Sequence, residues 1–414
     1  MIMFGVVMLI IFALTYTWVT RGFLSSLLHM ICVVLAGAIA FGLWEFLAHL
    51  ILNRTSSAAI MGSAWAIALI VPFGVATVIL RVIIASVVRN TAVAPGALDY
   101  AGAGICGLVT GTITAGSLVI GIGTTRVGTD FLGYQPLDYG SVSLQRTGGL
   151  PIVPVDRSVG GLYAHTSEAA FQTNESLAQY YPVPSLMAAS LRMTDGDGKA
   201  RNTAQPGDFS IVGTYVVGQA GLQGSALLRD NWVPTPHNAV TIEGESYSGN
   251  QKLLGVWVDP KPSLKERAGD IIFGEGQVFM VAETASGERL IRHPVAVSSP
   301  ADPASEGRYG RWRFDARGFV ALPGAALSPM AFEFILPPDA TPTAIFVKGI
   351  RANIDDSEPR VFASTGQRDS AIEAGSILPG GAASTPLDAS ESTTIGDGRR
   401  EADRRDLQDS GISV

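Results

Sequence analysis

The chain reads as a membrane all-α block of four transmembrane helices, then a mainly β, sandwich-like extracytoplasmic domain with one or two short helices, then a disordered C-terminal tail. Three observations predict this. Apolar residues concentrate before Gly123 in four long, sparsely charged runs. Short β-branched and aromatic runs, separated by Gly, Pro and Asp, fill 201–352. After about Asn353, Ser, Gly, Asp, Glu and Arg replace the apolar residues. The organisation predicted is a transmembrane domain at 1–123, a connector with an amphipathic helix at 124–200, a β-rich domain at 201–352 and the tail at 353–414.

With 47% hydrophobic and 16% charged residues among 414, the chain is too apolar for an ordinary soluble protein and too polar to lie wholly in lipid. A net charge of -7 without a basic stripe argues against nucleic acid as a partner. Both cysteines, Cys32 and Cys106, fall in apolar runs, leaving the polar part without a disulfide or a cysteine metal site.

Met1 to Thr20 carries no charge, and about 20 apolar residues suffice to cross about 30 Å of hydrocarbon. A cleaved signal peptide would need a basic region before the run and a small-residue cleavage site after it; a retained span is favoured. Arg21-Gly22 ends the run. The second, Phe23 to Leu52, exceeds the length a bilayer requires and must tilt or end at the interface.

Glu45 and His49 sit one turn apart near its end, beside Trp44. A carboxylate and an imidazole on one face can relay a proton, but their place at the polar boundary favours an interfacial pair. The third run, Ser57 to Val88, contains Pro72, which predicts a kink. Arg81 and Arg89 mark its exit. The fourth run, Tyr100 to Gly123, carries Gly107 and Gly111 in a small-xxx-small pair. Such residues let helices approach closely, within one chain or in a homo-oligomer, the former favoured. Arg21, Arg81 and Arg89 fall on one side against Arg54 and Arg126, which orients the first group to the cytoplasm and the C-terminal region outside.

An uncharged first helix ending in Arg21-Gly22-Phe23, a long third helix, and a glycine-rich fourth introduced by Leu98-Asp99 and continuing through Gly107 to Gly111 form one set. Over residues 1–123 this resembles the colicin V production protein (CvpA) family of small four-helix bacterial inner-membrane proteins. Tyr100 and Thr110 stand where that family usually carries basic residues. The resemblance implies a multi-pass inner-membrane protein connected with toxin production or secretion. Some relatives look like anchors of an extracytoplasmic serine protease. The nearest strings here, Gly221-Leu222-Gln223-Gly224-Ser225 and Glu243-Gly244-Glu245-Ser246, lack the Gly-Asp-Ser-Gly form, and no Gly-x-Ser-x-Gly elbow occurs.

Residues 124–154 read as an irregular connector. From Val155 to Tyr181 the apolar residues recur at helical spacing, with Val159, Leu162, Tyr163, Ala169 and Phe171 near one face. Lacking a lysine cluster for lipid, this helix is expected to cap the domain beyond rather than rest on the membrane. A short helix is expected over Pro184–Met193. Asp195-Gly196-Asp197-Gly198 reads as a turn rather than a calcium loop, since the terminal glutamate is missing.

Strands are expected at Phe209–Val217, Ala239–Glu243, Lys252–Asp259, Gln277–Glu283, Leu290–Ser298, Arg311–Phe314, Met330–Leu336 and Ala344–Ile350. The last two faintly resemble the closing strands of immunoglobulin-like domains. His165, His237 and His293 show no ligand spacing, and Trp232, Trp257 and Trp312 read as core or interface.

The expectation is a non-enzymatic membrane scaffold or binding protein for an unknown envelope partner, without catalytic, cofactor or metal residues. Two alternatives stay open: an envelope hydrolase using His237 or His293, and a channel or transport component built on Glu45, His49 and Pro72.

Overall fold

The computed structural model describes residues 2–88, 96–125, 131–134, 154–169, 176–192, 203–217, 251–265, 271–300 and 329–354, with short stretches at 137–139, 144–146, 241–242, 245–246, 309–313, 318–322, 359–363, 367–368, 370–371 and 394–397. The chain divides into two compact units: Met1–Pro136 with Thr147–Arg192, and Leu137–Arg146 with Met193–Val414.

The first unit is helical. Four helices, α1 (Ile2–Val19), α2 (Phe23–Arg54), α4 (Ala64–Val87) and α5 (Gly96–Gly123), are long and apolar enough to cross a membrane. Between α2 and α4 sits the single turn α3 (Ala58–Met61). The third apolar run is therefore not one helix: it breaks at Gly62-Ser63, where glycine is a weak helix former. Pro72 lies inside α4 without ending it. On α4, Ile67, Val71, Val75, Val78 and Val82 are exposed at helical spacing, an apolar outer face suited to lipid.

Gly107 and Gly111 are used within the chain. A Cβ on Gly107 would stand 2.9 Å from Thr15 Cα, and one on Gly111 2.9 Å from Ile11 Cα, so the α1 and α5 backbones meet in direct contact. A homo-oligomer could not use this face while α1 occupies it.

Helices α6 (Val155–Glu168), α7 (Leu177–Tyr180) and α8 (Pro184–Arg192) belong to this same unit. Helix α6, expected as part of a connector at 124–200, packs within the helical unit. Its apolar face meets α5 and α2. A Cβ on Gly116 would come 2.5 Å from Val159 Cγ2, and one on Gly37 1.9 Å from the Tyr163 hydroxyl. The Tyr163 ring stacks on Phe41 at 4.8 Å, and its hydroxyl donates to the Val34 carbonyl at 3.2 Å. Burial pushes that phenol above its ordinary titration range. Val155, Tyr134, Met3, Val7, Ile11, Ala115 and Val119 form one buried cluster. The helix stops at Glu168 instead of continuing to Tyr181, whose ring packs near Trp44 and Trp65 at 5.7 and 6.2 Å.

The second unit is mainly β. In chain order its strands are β1 (Leu137–Tyr139), β2 (Leu144–Arg146), β3 (Phe209–Val217), β4 (Thr241–Ile242), β5 (Glu245–Ser246), β6 (Lys252–Pro260), β7 (Ile271–Gly274), β8 (Val278–Glu283), β9 (Arg289–Arg292), β10 (Ala296–Pro300), β11 (Tyr309–Arg313), β12 (Gly318–Leu322), β13 (Met330–Leu336), β14 (Thr341–Val347), β15 (Ile350–Asn353), β16 (Arg360–Phe362) and β17 (Thr394–Asp397). The largest sheet has six strands in the order β11-β10-β13-β6-β3-β16; β17-β12-β7 and β15-β14-β8-β9 form sheets of three and four, and β1-β2 and β4-β5 pair separately.

Every residue of β13 is buried, so both faces of the large sheet are covered. One contact across its faces is Phe273 of β7 edge-on to Phe332 of β13, with centroids 5.7 Å apart. The run expected as one strand, Leu290–Ser298, splits at His293-Pro294-Val295, with β9 in one sheet and β10 in another. Proline cannot donate to a ladder, which suits a switching point.

Tyr215, Gly255 and Glu333 are register partners across β3, β6 and β13. A Cβ on Gly255 would lie 2.0 Å from Tyr215 Cζ, so the tyrosine ring occupies the space glycine leaves. It reaches across β6 and its hydroxyl donates to Glu333 Oε1. The same oxygen receives Arg368 Nη1 at 3.0 Å, and both side chains of the ion pair are fully buried. Alternation in Phe332-Glu333-Phe334 would turn Glu333 to water; it is enclosed instead.

Of the expected tail, most residues lie outside the described set; those described include β16, parallel to β3, and β17, paired with β12. Asp195–Gly198, Gly221–Ser225, Trp232 and His237 also fall outside it.

Candidate functional site

The residues of the resemblance converge at one end of the helical unit, where α1 passes into α2. Gly22 adopts φ +82°, a conformation L side chains rarely take, and a Cβ there would stand 3.1 Å from Asp99 Oδ2. Asp99, in the first turn of α5, accepts the Phe23 N–H at 2.8 Å and so caps α2 from a distant helix. Ser26 Oγ lies 2.8 Å from both the Trp18 and Gly22 carbonyls and so binds the end of α1 to the start of α2. Arg21-Gly22-Phe23 and Asp99 are therefore one structural device, with Gly107 and Gly111 holding α1 beside α5 below it.

Asp99→Ala is expected to lower stability of the helical unit by about 1 kcal/mol, the usual worth of an N-terminal cap, while Asp99→Asn retains most of it. Denaturant titration of the full chain in detergent reads this out. Equal stability of wild type and Asp99→Ala would remove the capping role.

The same end carries a cluster the sequence pattern did not single out. Trp18 is buried, and the His29 ring stacks on it at 3.9 Å. The Arg21 and Arg81 guanidinium carbons lie 4.9 and 5.3 Å from its centroid. Arg81 Nη2 donates to Ser25 Oγ at 3.1 Å. Trp18 and Arg21 at three-residue spacing were the only local signal, because Arg81 joins from another helix.

At the opposite end, His49 Nε2 lies 3.9 Å from Glu45 Oε1, with both side chains part-exposed. Beside them Trp44 Nε1 donates to the Trp65 carbonyl at 2.9 Å, and the Trp65 ring lies 6.0 Å from His49. The two are in contact, as their spacing predicts. Asp156, fully buried in α6, receives the Tyr134 hydroxyl through Oδ2, while Oδ1 has no hydrogen-bond partner. In the second unit His293 is buried near Phe279, with rings 6.1 Å apart, and His165 of α6 is exposed.

No family, curated protein or solved structure matches the chain.

Proposed function

We propose that the protein is a membrane-anchored scaffold or binding protein of the bacterial inner membrane, akin to the colicin V production family, which presents its β-rich unit outside the cytoplasm to an envelope or secretion partner. The observation that carries this reading is the pairing, in one chain, of an apolar helical unit with a separately packed β-rich unit. Convergence of Arg21, Gly22, Phe23 and Asp99 above the Gly107 and Gly111 contact supports the family likeness, because those positions then act together. Arg21 and Arg81 at one end favour placing that end in the cytoplasm.

Val361, on β16, is 71% exposed and offers a place for a photo-crosslinking residue in the full-length protein. The expected result is a discrete crosslinked envelope protein, together with active alkaline phosphatase fused after Gly123. Inactive phosphatase there reverses the orientation, and crosslinks to no envelope component remove the binding role.

The contact between Glu45 and His49 favours a second reading, a transport component using this pair. Under it, proton flux in liposomes falls at least about tenfold in Glu45→Gln, as loss of a proton-transfer group implies. Flux that is absent, or indifferent to the change, ends this reading.

A further inference from the structure

Two guanidinium groups meet on one indole. Arg21 arrives from the end of α1, and Arg81 from α4, six residues before its last residue, Val87. Among the described residues neither forms an ion pair with a carboxylate, and the nearby acid, Asp99, is engaged with the Phe23 N–H. Ser25 Oγ accepts from Arg81, which leaves its own O–H proton to donate elsewhere. The cluster is thus rich in donors and positive charge, with no carboxylate ion pair to either guanidinium among the described residues. Charged side chains within membrane helices are ordinarily paired.

Its depth narrows the ligand. Six residues of α-helix rise about 9 Å, which sets Arg81 inside the end of its span near the boundary between headgroups and acyl chains. Tryptophan favours that level. Flanking Arg81 on α4, Val78 and Val82 are exposed. A ligand there meets cations at its head and apolar side chains along its length.

We propose that Arg21, Arg81 and Ser25 bind the phosphate group of an anionic phospholipid, with Trp18 as the floor of the site. Guanidinium forks suit phosphate oxygens, and the anion relieves repulsion between two cations gathered on one ring. His29, stacked on that ring, holds it in place. The site goes beyond the scaffold reading and does not depend on the β-rich unit.

The test uses full-length protein in neutral detergent, with phosphatidylglycerol or phosphatidylcholine added and bound lipid counted by native mass spectrometry. Phosphatidylglycerol is expected to be retained preferentially. Arg21→Gln and Arg81→Gln each weaken its binding about five- to tenfold, and the pair abolishes the preference. Arg21→Lys and Arg81→Lys, which keep charge and fold, retain part of it, and Arg54→Gln at the other end leaves it unchanged.

Inorganic phosphate is added at matched ionic strength in a second arm. Competition that vanishes in the arginine variants supports the site with a soluble phosphate as its source; absence of competition supports the lipid. Equal retention of the two lipids without phosphate competition, or a preference that survives in both glutamine and lysine variants, overturns the proposal.

Discussion

Arg368→Ala is expected to destabilise the β-rich unit by about 3–5 kcal/mol, the usual consequence of stranding one member of a fully buried ion pair. Glu333 lies within the six-stranded sheet and is wholly enclosed, so removing Arg368 takes away the buried cation that its carboxylate meets there. Replacing both partners with apolar residues, Arg368→Met with Glu333→Leu, should recover most of the loss, since burying the pair offsets much of its own attraction. A further Tyr215→Phe removes the hydroxyl that donated to Glu333. Pulse proteolysis of the full chain across a urea series measures all three variants. An Arg368→Ala protein as resistant as wild type would show the pair to be dispensable.

Gly111→Leu is expected to separate α1 from α5 and reduce the stability of the helical unit by about 1–3 kcal/mol or more, as overpacking does. The obstacle is backbone, 2.9 Å from the first added carbon, which cannot rotate away as a side chain could. Gly74→Leu is the matched control: nothing lies within 4 Å of a Cβ there, and the residue is exposed on α4. Unfolding in a mixed-detergent titration should shift for the first substitution and not for the second. Similar shifts for both would mean that the close approach of α1 and α5 carries no special weight.

The four spans were legible because a bilayer imposes a length that no local propensity can evade; Ile2–Val19 and Phe23–Arg54 fall within a few residues of the expected limits. Several strands were equally legible: β3 and β13 have the expected bounds, set by dense β-branched and aromatic residues. β7 and β12 were missed because Ile271–Gly274 and Gly318–Leu322 are too short for period-two patterning to show.

The packing of α6 was not legible in the sequence for another reason. Its seats are Gly37 and Gly116, and a missing side chain leaves no mark that pattern reading can pair with Tyr163 or Val159. Glu333 was hidden because its partner lies 35 residues away, past the last long strand. The Trp18 cluster joins α1, α2 and α4, and only Trp18 and Arg21 of its members stand close together in sequence, so it was missed.

The packing of α6 into the grooves left by Gly37 and Gly116 has a bearing on biogenesis. A nascent chain that has reached the end of α5 holds the four described spans but lacks the segment that fills their seam. That segment emerges only as translation proceeds through Glu168, and α8 follows by Arg192. The packing of the four helices is therefore completed only by a later, less apolar segment that folds back on them.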